Sequence, residues 1–383
     1  MTDFHLATRM AMHKKADKWR EPLVRDEASL TQCFCHNDYL GHAQHPKVIA
    51  AAQAATRTYG TSSTGSALIT GQTELTQQFE TCFAEFVGFP AARFFSSGYL
   101  ANLAVQSVFC SKNDLICQDK LCHASLIDGA QFSGATLKRY AHGDVRHLQT
   151  LLMKAPQAKC FIVTDTVFSM RGDCAPLGEL SQIAKKHSAH LIVDEAHGLG
   201  VLGENGRGAL EAQGVATCDI FAAVYPLGKA WGSAGAIVAG SQQVIDALTQ
   251  FARPYCYDTA SPPSVLAANL VSLEVIKTES WRREKLHELV AFFREQLAYF
   301  DLPHMDSTTP IQSIVIGNNA RTLLISEKLQ ARGFWVHPIR PPSVPENQAC
   351  LRVTVSVSHS KAQLKQLAEY LADLIQEASS HAA

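Results

Sequence analysis

Phe221-Ala-Ala-Val-Tyr-Pro-Leu-Gly-Lys229-Ala-Trp-Gly-Ser-Ala-Gly-Ala-Ile-Val-Ala-Gly240 places one charge between two apolar, strand-like runs. That charge is Lys229, the single charged residue from Ile220 to Ile245, and the glycines beside it mark a turn. Apolar surroundings disfavour an ammonium ion, so the expectation is a lowered pKa and an available amine. Amines of this kind condense with carbonyl compounds. A lone lysine at a strand end more often snorkels to solvent, so the rest of the chain has to decide between the two readings.

Working back toward the N-terminus, the stretch is the last of a series of apolar runs at 93–96, 114–118, 136–140, 160–164, 190–194 and 220–225. Helix-like segments at 99–110, 124–132, 144–155 and 176–188 separate them. Strands alternating with helices predict an α/β fold with a mostly parallel central sheet and helices on both faces. Upstream lie an amphipathic helix over 5–20, a short strand at Cys33-Phe34-Cys35, and helices over Pro46–Tyr59 and Glu74–Val87. Beyond about residue 265 the texture changes. A helical stretch (265–300), a strand at Ile311–Ile316, a helix near 320–332, a proline-rich segment at Ile339–Pro345, a strand at Leu351–Val357 and a closing helix (362–378) predict a smaller α+β domain.

With 46% hydrophobic and 18% charged residues, the 383-residue chain has ample material for a buried core. A net charge of -1 argues against nucleic acid or an anionic membrane as principal partner. Eleven cysteines without a C-x-x-C pair argue against a disulfide framework and a structural zinc, so no metal is expected. No apolar stretch reaches membrane-spanning length and no signal-peptide core is evident, so the expected location is cytoplasmic.

In a parallel sheet, ligands bind beyond the carboxyl ends of the strands. Those positions hold Ser97-Gly98-Tyr99 at a helix start suited to a phosphate, His123, Asp165, Ser169, and Asp194 followed by His197. Asp194 ends an apolar strand, where a carboxylate is costly without a cationic partner. A protonated pyridine nitrogen is such a partner, and with Lys229 it points to pyridoxal phosphate (PLP). Gly198-Leu-Gly-Val-Leu-Gly203 is a literal G-x-G-x-x-G behind a strand, but turn residues follow where a dinucleotide fingerprint needs a helix. A nicotinamide-dependent dehydrogenase and a non-catalytic binding protein stay as alternatives from other classes.

His36-Asn-Asp-Tyr-Leu-Gly41, Ser97-Gly-Tyr-Leu-Ala-Asn102, His123-Ala-Ser-Leu126, Val167-Phe-Ser-Met170, Asp194-Glu-Ala-His-Gly198 and Gly228-Lys229 together resemble the α-oxoamine synthases, from roughly residue 10 to 375. These are fold-type-I PLP enzymes that join an amino acid to an acyl thioester with loss of CO2. The resemblance implies PLP as cofactor, a homodimer with active sites at the subunit interface, and a division into 1–45 (joining the small domain), 46–279 (large, PLP-binding) and 280–383 (small). Ile339-Arg-Pro-Pro-Ser-Val-Pro345 and Leu351-Arg352 favour the members that use L-alanine and a pimeloyl thioester, carried by coenzyme A or acyl carrier protein; members using glycine or serine with other acyl groups are the alternative.

Carried over by position, the resemblance makes Lys229 the Schiff-base lysine, Asp194 the pyridinium partner and His123 the residue stacked on the ring. It gives the ring hydroxyl to His197 and Ser169, and the phosphate side to Ser97, Gly98, Tyr99 and Thr259. The alanine carboxylate goes to Arg352, with Asn37 near the substrate and the family's N-terminal arginine falling near Lys18 or Arg20. Four positions depart from the family pattern: Pro226 replaces a phosphate-bonding hydroxyl residue, Asp165 a glutamate, Leu68 a basic residue, and Asp258 a hydroxyl residue.

Overall fold

The computed structural model describes residues 2–22, 32–155 and 158–380. Two compact units account for the chain: one comprises residues 1–39, 170–173 and 284–383, the other residues 40–169 and 174–283. Within the expected N-terminal segment 1–45, residues 23–31 lie outside the described ones.

The larger unit is built on seven strands: β1 (Ala91–Phe95), β2 (Leu115–Asp119), β3 (Thr136–Tyr140), β4 (Cys160–Asp165), β5 (His190–Asp194), β6 (Ala222–Pro226) and β7 (Ala236–Gly240). Their order in the sheet is β1-β7-β6-β5-β4-β2-β3. The pairs from β6 through β3 are parallel, as the alternation predicts, while β7 runs antiparallel to both β6 and β1. The run after Lys229 is therefore a strand reached by a tight turn. A turn reverses the chain, whereas only a longer crossover returns it in the same direction.

Helices Gly98–Phe109, Ala124–Ser133, Val145–Met153 and Leu177–Lys186 fall within two residues of the expected boundaries. The stretch 265–300 is two helices, Pro263–Thr278 and Trp281–Tyr299. Strands β2 and β4 are buried at every position, and their side chains join those of the neighbouring strands and of helix Gly98–Phe109 in one apolar cluster. Gly198–Gly203 forms turns, with Gly200 and Gly203 at φ 78° and 84°, and the next helix begins only at Ala209 and lasts four residues. That geometry removes the dinucleotide reading.

The smaller unit has a three-stranded antiparallel sheet, β8 (Ile311–Gly317), β9 (His337–Ile339) and β10 (Ala349–Thr354), in the order β8-β10-β9. Helices Asn319–Ala331 and Lys361–Ser380 also belong to it. The start of the proline-rich segment supplies part of an edge strand, β9, the position where a sheet tolerates proline. Cys33 makes only an isolated bridge to Trp335, so the short strand expected at Cys33–Cys35 does not form.

Candidate active site

The turn carrying Lys229 is held from beneath. Trp231, two residues on, is fully buried, its ring 5.3 Å from that of Phe83 and 6.3 Å from that of Phe79. Its indole N–H donates to the Asn269 carbonyl at 3.3 Å. The Leu227 N–H donates to the Gly235 carbonyl, and the Gly232 N–H to that of Lys229 itself. The lysine thus stands, half-buried, on a rigid turn at the end of β6.

Asp194 ends β5 in register with Asp165, which ends β4, and both are buried. Asp194 Oδ1 accepts the Ala196 N–H at 2.8 Å, and Oδ2 accepts from Asn102 Nδ2 at 2.7 Å. Neither donor carries a charge, so the carboxylate suits a cationic ligand atom. Asp165 accepts the His123 N–H at 2.7 Å. Burial first, and then the neighbouring Asp194 charge, push its pKa well above the carboxylate range. His123 lies just beyond β2, and burial holds its imidazole below the usual pKa. The Lys229 charge pushes it the same way, while Asp194 and Asp128 oppose. Lys229 also acts on Asp165. The structure therefore gathers Lys229, Asp194, His123 and Asp165 in one electrostatic neighbourhood at the carboxyl ends of adjacent strands.

His197 is buried in the turn after β5, and Ser169 is half-buried in the turn after β4. Ser97 caps the helix that Gly98 opens, its Oγ accepting the Leu100 N–H at 3.2 Å. Tyr99 is exposed and its hydroxyl donates to Asp128, whose carboxylate raises the phenol's pKa. Pro226 closes β6 directly against this helix start, since a Cβ placed on Gly98 would stand 2.7 Å from Pro226 Cγ. Asp258 accepts from Ser96 Oγ at 2.5 Å, and the adjacent exposed Thr259 makes a bridge with Ser66. Leu68 is exposed on the single π-helical turn Ala67–Gly71.

In the smaller unit, Arg352 on β10 is buried, and both its Nη atoms donate to Asn37 Oδ1 at 3.2 Å. Tyr39 donates to the same oxygen at 3.0 Å, its hydroxyl pushed up to about 12 by burial against the opposing Arg352 charge. Lys18 is ion-paired to Glu346 at 2.5 Å, and Arg20 donates to Ser343 Oγ at 3.0 Å. Both therefore engage the proline-rich segment and its flank. His337, unremarked in the sequence, has its pKa lowered by burial and by Arg340, Arg20 and Arg352.

Asn102, which ends the Ser97–Asn102 motif, is the other residue to which sequence reasoning gave no role. Together with Gln106, one turn on and also buried, it forms a polar pair among the buried residues of this helix, the others being Ala101, Ala104 and Val105. Such a stripe facing a core signals a hydrogen-bonded network.

The carboxylates, imidazoles and lysine fit PLP on this chemistry: a buried carboxylate with neutral donors for the ring nitrogen, an imidazole beside it, and an amine within electrostatic reach. An 8-amino-7-oxononanoate synthase of Saccharophagus degradans is 48% identical over 356 residues, covering 93% of this chain and 90% of that protein. One of Ectopseudomonas mendocina is 45% identical over 379 residues, 97% of each chain. Among solved structures, the 8-amino-7-oxononanoate synthase of Francisella tularensis superposes with a TM-score of 0.80 at 36% identity, over 91% of this chain and 98% of that one. A serine palmitoyltransferase of S. paucimobilis with bound PLP and myriocin gives 0.88 at 29% identity, over 91% and 88%. These similarities agree with the resemblance carried by the motifs. The model of aminotransferase class I and II matches residues 33–371, and this chain belongs to that family.

Proposed function

We propose that this chain uses PLP to condense L-alanine with a pimeloyl thioester, releasing CO2 and the thiol and giving 8-amino-7-oxononanoate for biotin biosynthesis. One observation carries the reading: buried Asp194 and Asp165 end adjacent strands in register, with His123 bonded to Asp165 and Lys229 on the turn after the next strand. Bound there, PLP supplies the electron sink for a carbanion at the alanine Cα. Lys229 would hold the cofactor through its amine and would serve as general base for the Cα proton. Asp194 would hold the protonated ring nitrogen, His123 would face the ring, and His197 with Ser169 would hold the ring hydroxyl. Ser97, Gly98 and Tyr99 serve the phosphate with Thr259, the helix start favouring an anion. Arg352 holds the substrate carboxylate as a fork, with Asn37 beside it. Lys18 and Arg20 are the basic residues assigned to the substrate from the N-terminal segment.

A second reading has its own support: solved serine palmitoyltransferases superpose with TM-scores up to 0.91. Under it, the chain would condense serine or glycine with another acyl thioester. Mass analysis of products separates the two. Alanine with pimeloyl-CoA or pimeloyl-acyl carrier protein should give 8-amino-7-oxononanoate, and turnover confined to serine or glycine would overturn the assignment. Borohydride should fix the cofactor to the peptide containing Lys229; fixation on another lysine sinks its role. The enzyme is also proposed to be a cytoplasmic homodimer with interface active sites, and among the described residues no helix is long and apolar enough to cross a membrane.

A further inference from the structure

We propose that Asn102 is a positioning residue whose one side-chain amide holds Asp194 and, through Ser125, the ring of His123 in a common frame. The inference rests on the proposed PLP reaction. Asn102 Nδ2 lies 2.7 Å from Asp194 Oδ2 and 2.9 Å from Ser125 Oγ, so its two hydrogens serve two acceptors. The flipped amide would turn an oxygen onto the Asp194 carboxylate, acceptor against acceptor, which fixes its orientation. As a result Asn102 Oδ1 is buried without a hydrogen-bond partner among the described residues. A buried acceptor is rarely left that way unless the rest of the group is committed elsewhere.

The second hydrogen sets the chemistry of His123. Ser125 Oγ accepts from Asn102, so its own hydrogen turns to His123 Nδ1, 2.8 Å away. The Ser125 backbone N–H also donates to Nδ1, at 3.2 Å. Nδ1 is therefore an acceptor, and the neutral ring carries its proton on Nε2. The charged groups acting on this ring are Asp194 from β5, Lys229 from the turn after β6 and Asp128 from its own helix; the Asp165 carboxyl of β4 holds its backbone N–H. Burial outweighs the two acidic groups that favour the cation and keeps the ring neutral. His123 thus offers the site a hydrogen-bond donor and is no base through Nε2. Asn102, only 2% exposed, acts through its neighbours alone.

The test compares the full-length wild type with Asn102→Leu, Asn102→Ala and Ser125→Ala, reading two quantities: the PLP dissociation constant of the apoprotein, and the acid limb of the pH–rate profile. Both Asn102 variants should raise the dissociation constant about tenfold or more, as loss of a donor to a charged group does. They should also move the acid limb upward, because the freed Ser125 hydroxyl can then accept from a protonated Nδ1. Ser125→Ala should move the acid limb upward yet leave PLP affinity within about threefold, since it touches only the histidine arm. Where Asn102→Leu fails to fold, Asn102→Ala, smaller and uncharged, decides. Folded Asn102 variants with wild-type affinity and pH profile would overturn the proposal, as would a Ser125→Ala variant that weakens PLP as much as they do. A wild type that neither binds PLP nor holds it on Lys229 brings down the proposed function itself; silent variants in a PLP-binding wild type bring down only the role of Asn102.

Discussion

Pro226 shows how one residue can be legible in sequence while its consequence waits for the fold. It ends β6, brings neither hydroxyl nor N–H, and packs its ring on Gly98, the first residue of a helix whose free N–H groups favour an anion. Pro226→Ser should restore a donor there and tighten PLP by roughly tenfold or more, the worth of one hydrogen bond to a charged group. Titration of the apoprotein checks this, and an unchanged or weaker affinity would show that the phosphate is held elsewhere. Lys229, Asp194 and His123 could be read directly, because a charged or titratable residue ending an apolar run is anomalous in one dimension. Asn102 and His337 could not, because their significance lies in contacts between segments far apart in the chain. Only the spacing of Asn102 and Gln106 hinted at the first of them.

The alternation of six runs was enough to predict a mostly parallel sheet and most of the helices around it, and for the inner strands β2 and β4 burial at every position leaves a continuous apolar signature. The direction of β7 was not legible. Both flanks of Lys229 read as strands, but the connection between them decides direction, and its geometry depends on glycine torsions. Gly232 adopts φ 70°, and a Cβ there would stand 2.4 Å from the Ala43 nitrogen and 2.5 Å from His42 Cβ. Gly232→Ala therefore meets both an unfavourable torsion and backbone that cannot yield, at a cost of about 2–3 kcal/mol. Thermal unfolding should show the loss. A variant as stable as wild type would mean that this turn contributes little to holding the lysine.

On the scale of the whole molecule, stability should depend on acid through histidines buried as neutral rings. His42 in the larger unit is held down to about 3, chiefly by burial, and His359 in the smaller unit to about 4, its ring stacked 4.1 Å from Phe34. His123, His190 and His337 are lowered as well. Each contributes stability that is present above the unfolded histidine value near 6.5 and is lost as pH falls toward the folded value. Glu195, Glu80 and Asp165 have the opposite sign, since burial raises each carboxyl, that of Glu195 to about 7, and their contribution fades as pH rises through the raised values. The share of one histidine is isolated by substitution: between pH 7 and pH 5.5 the urea unfolding free energy of His359→Gln should lose less than that of the wild type. Parallel profiles for the two proteins would contradict the burial argument. The smaller unit also draws its residues from both ends of the chain, up to 39 and from 284 onward. During synthesis its first segment must wait, roughly twenty to seventy seconds at ordinary elongation rates, until the last of its remaining pieces is made. The larger unit is complete long before then, so nascent chains have a built-in order of assembly, and the early segment is the one exposed to chaperones and proteases in the interval.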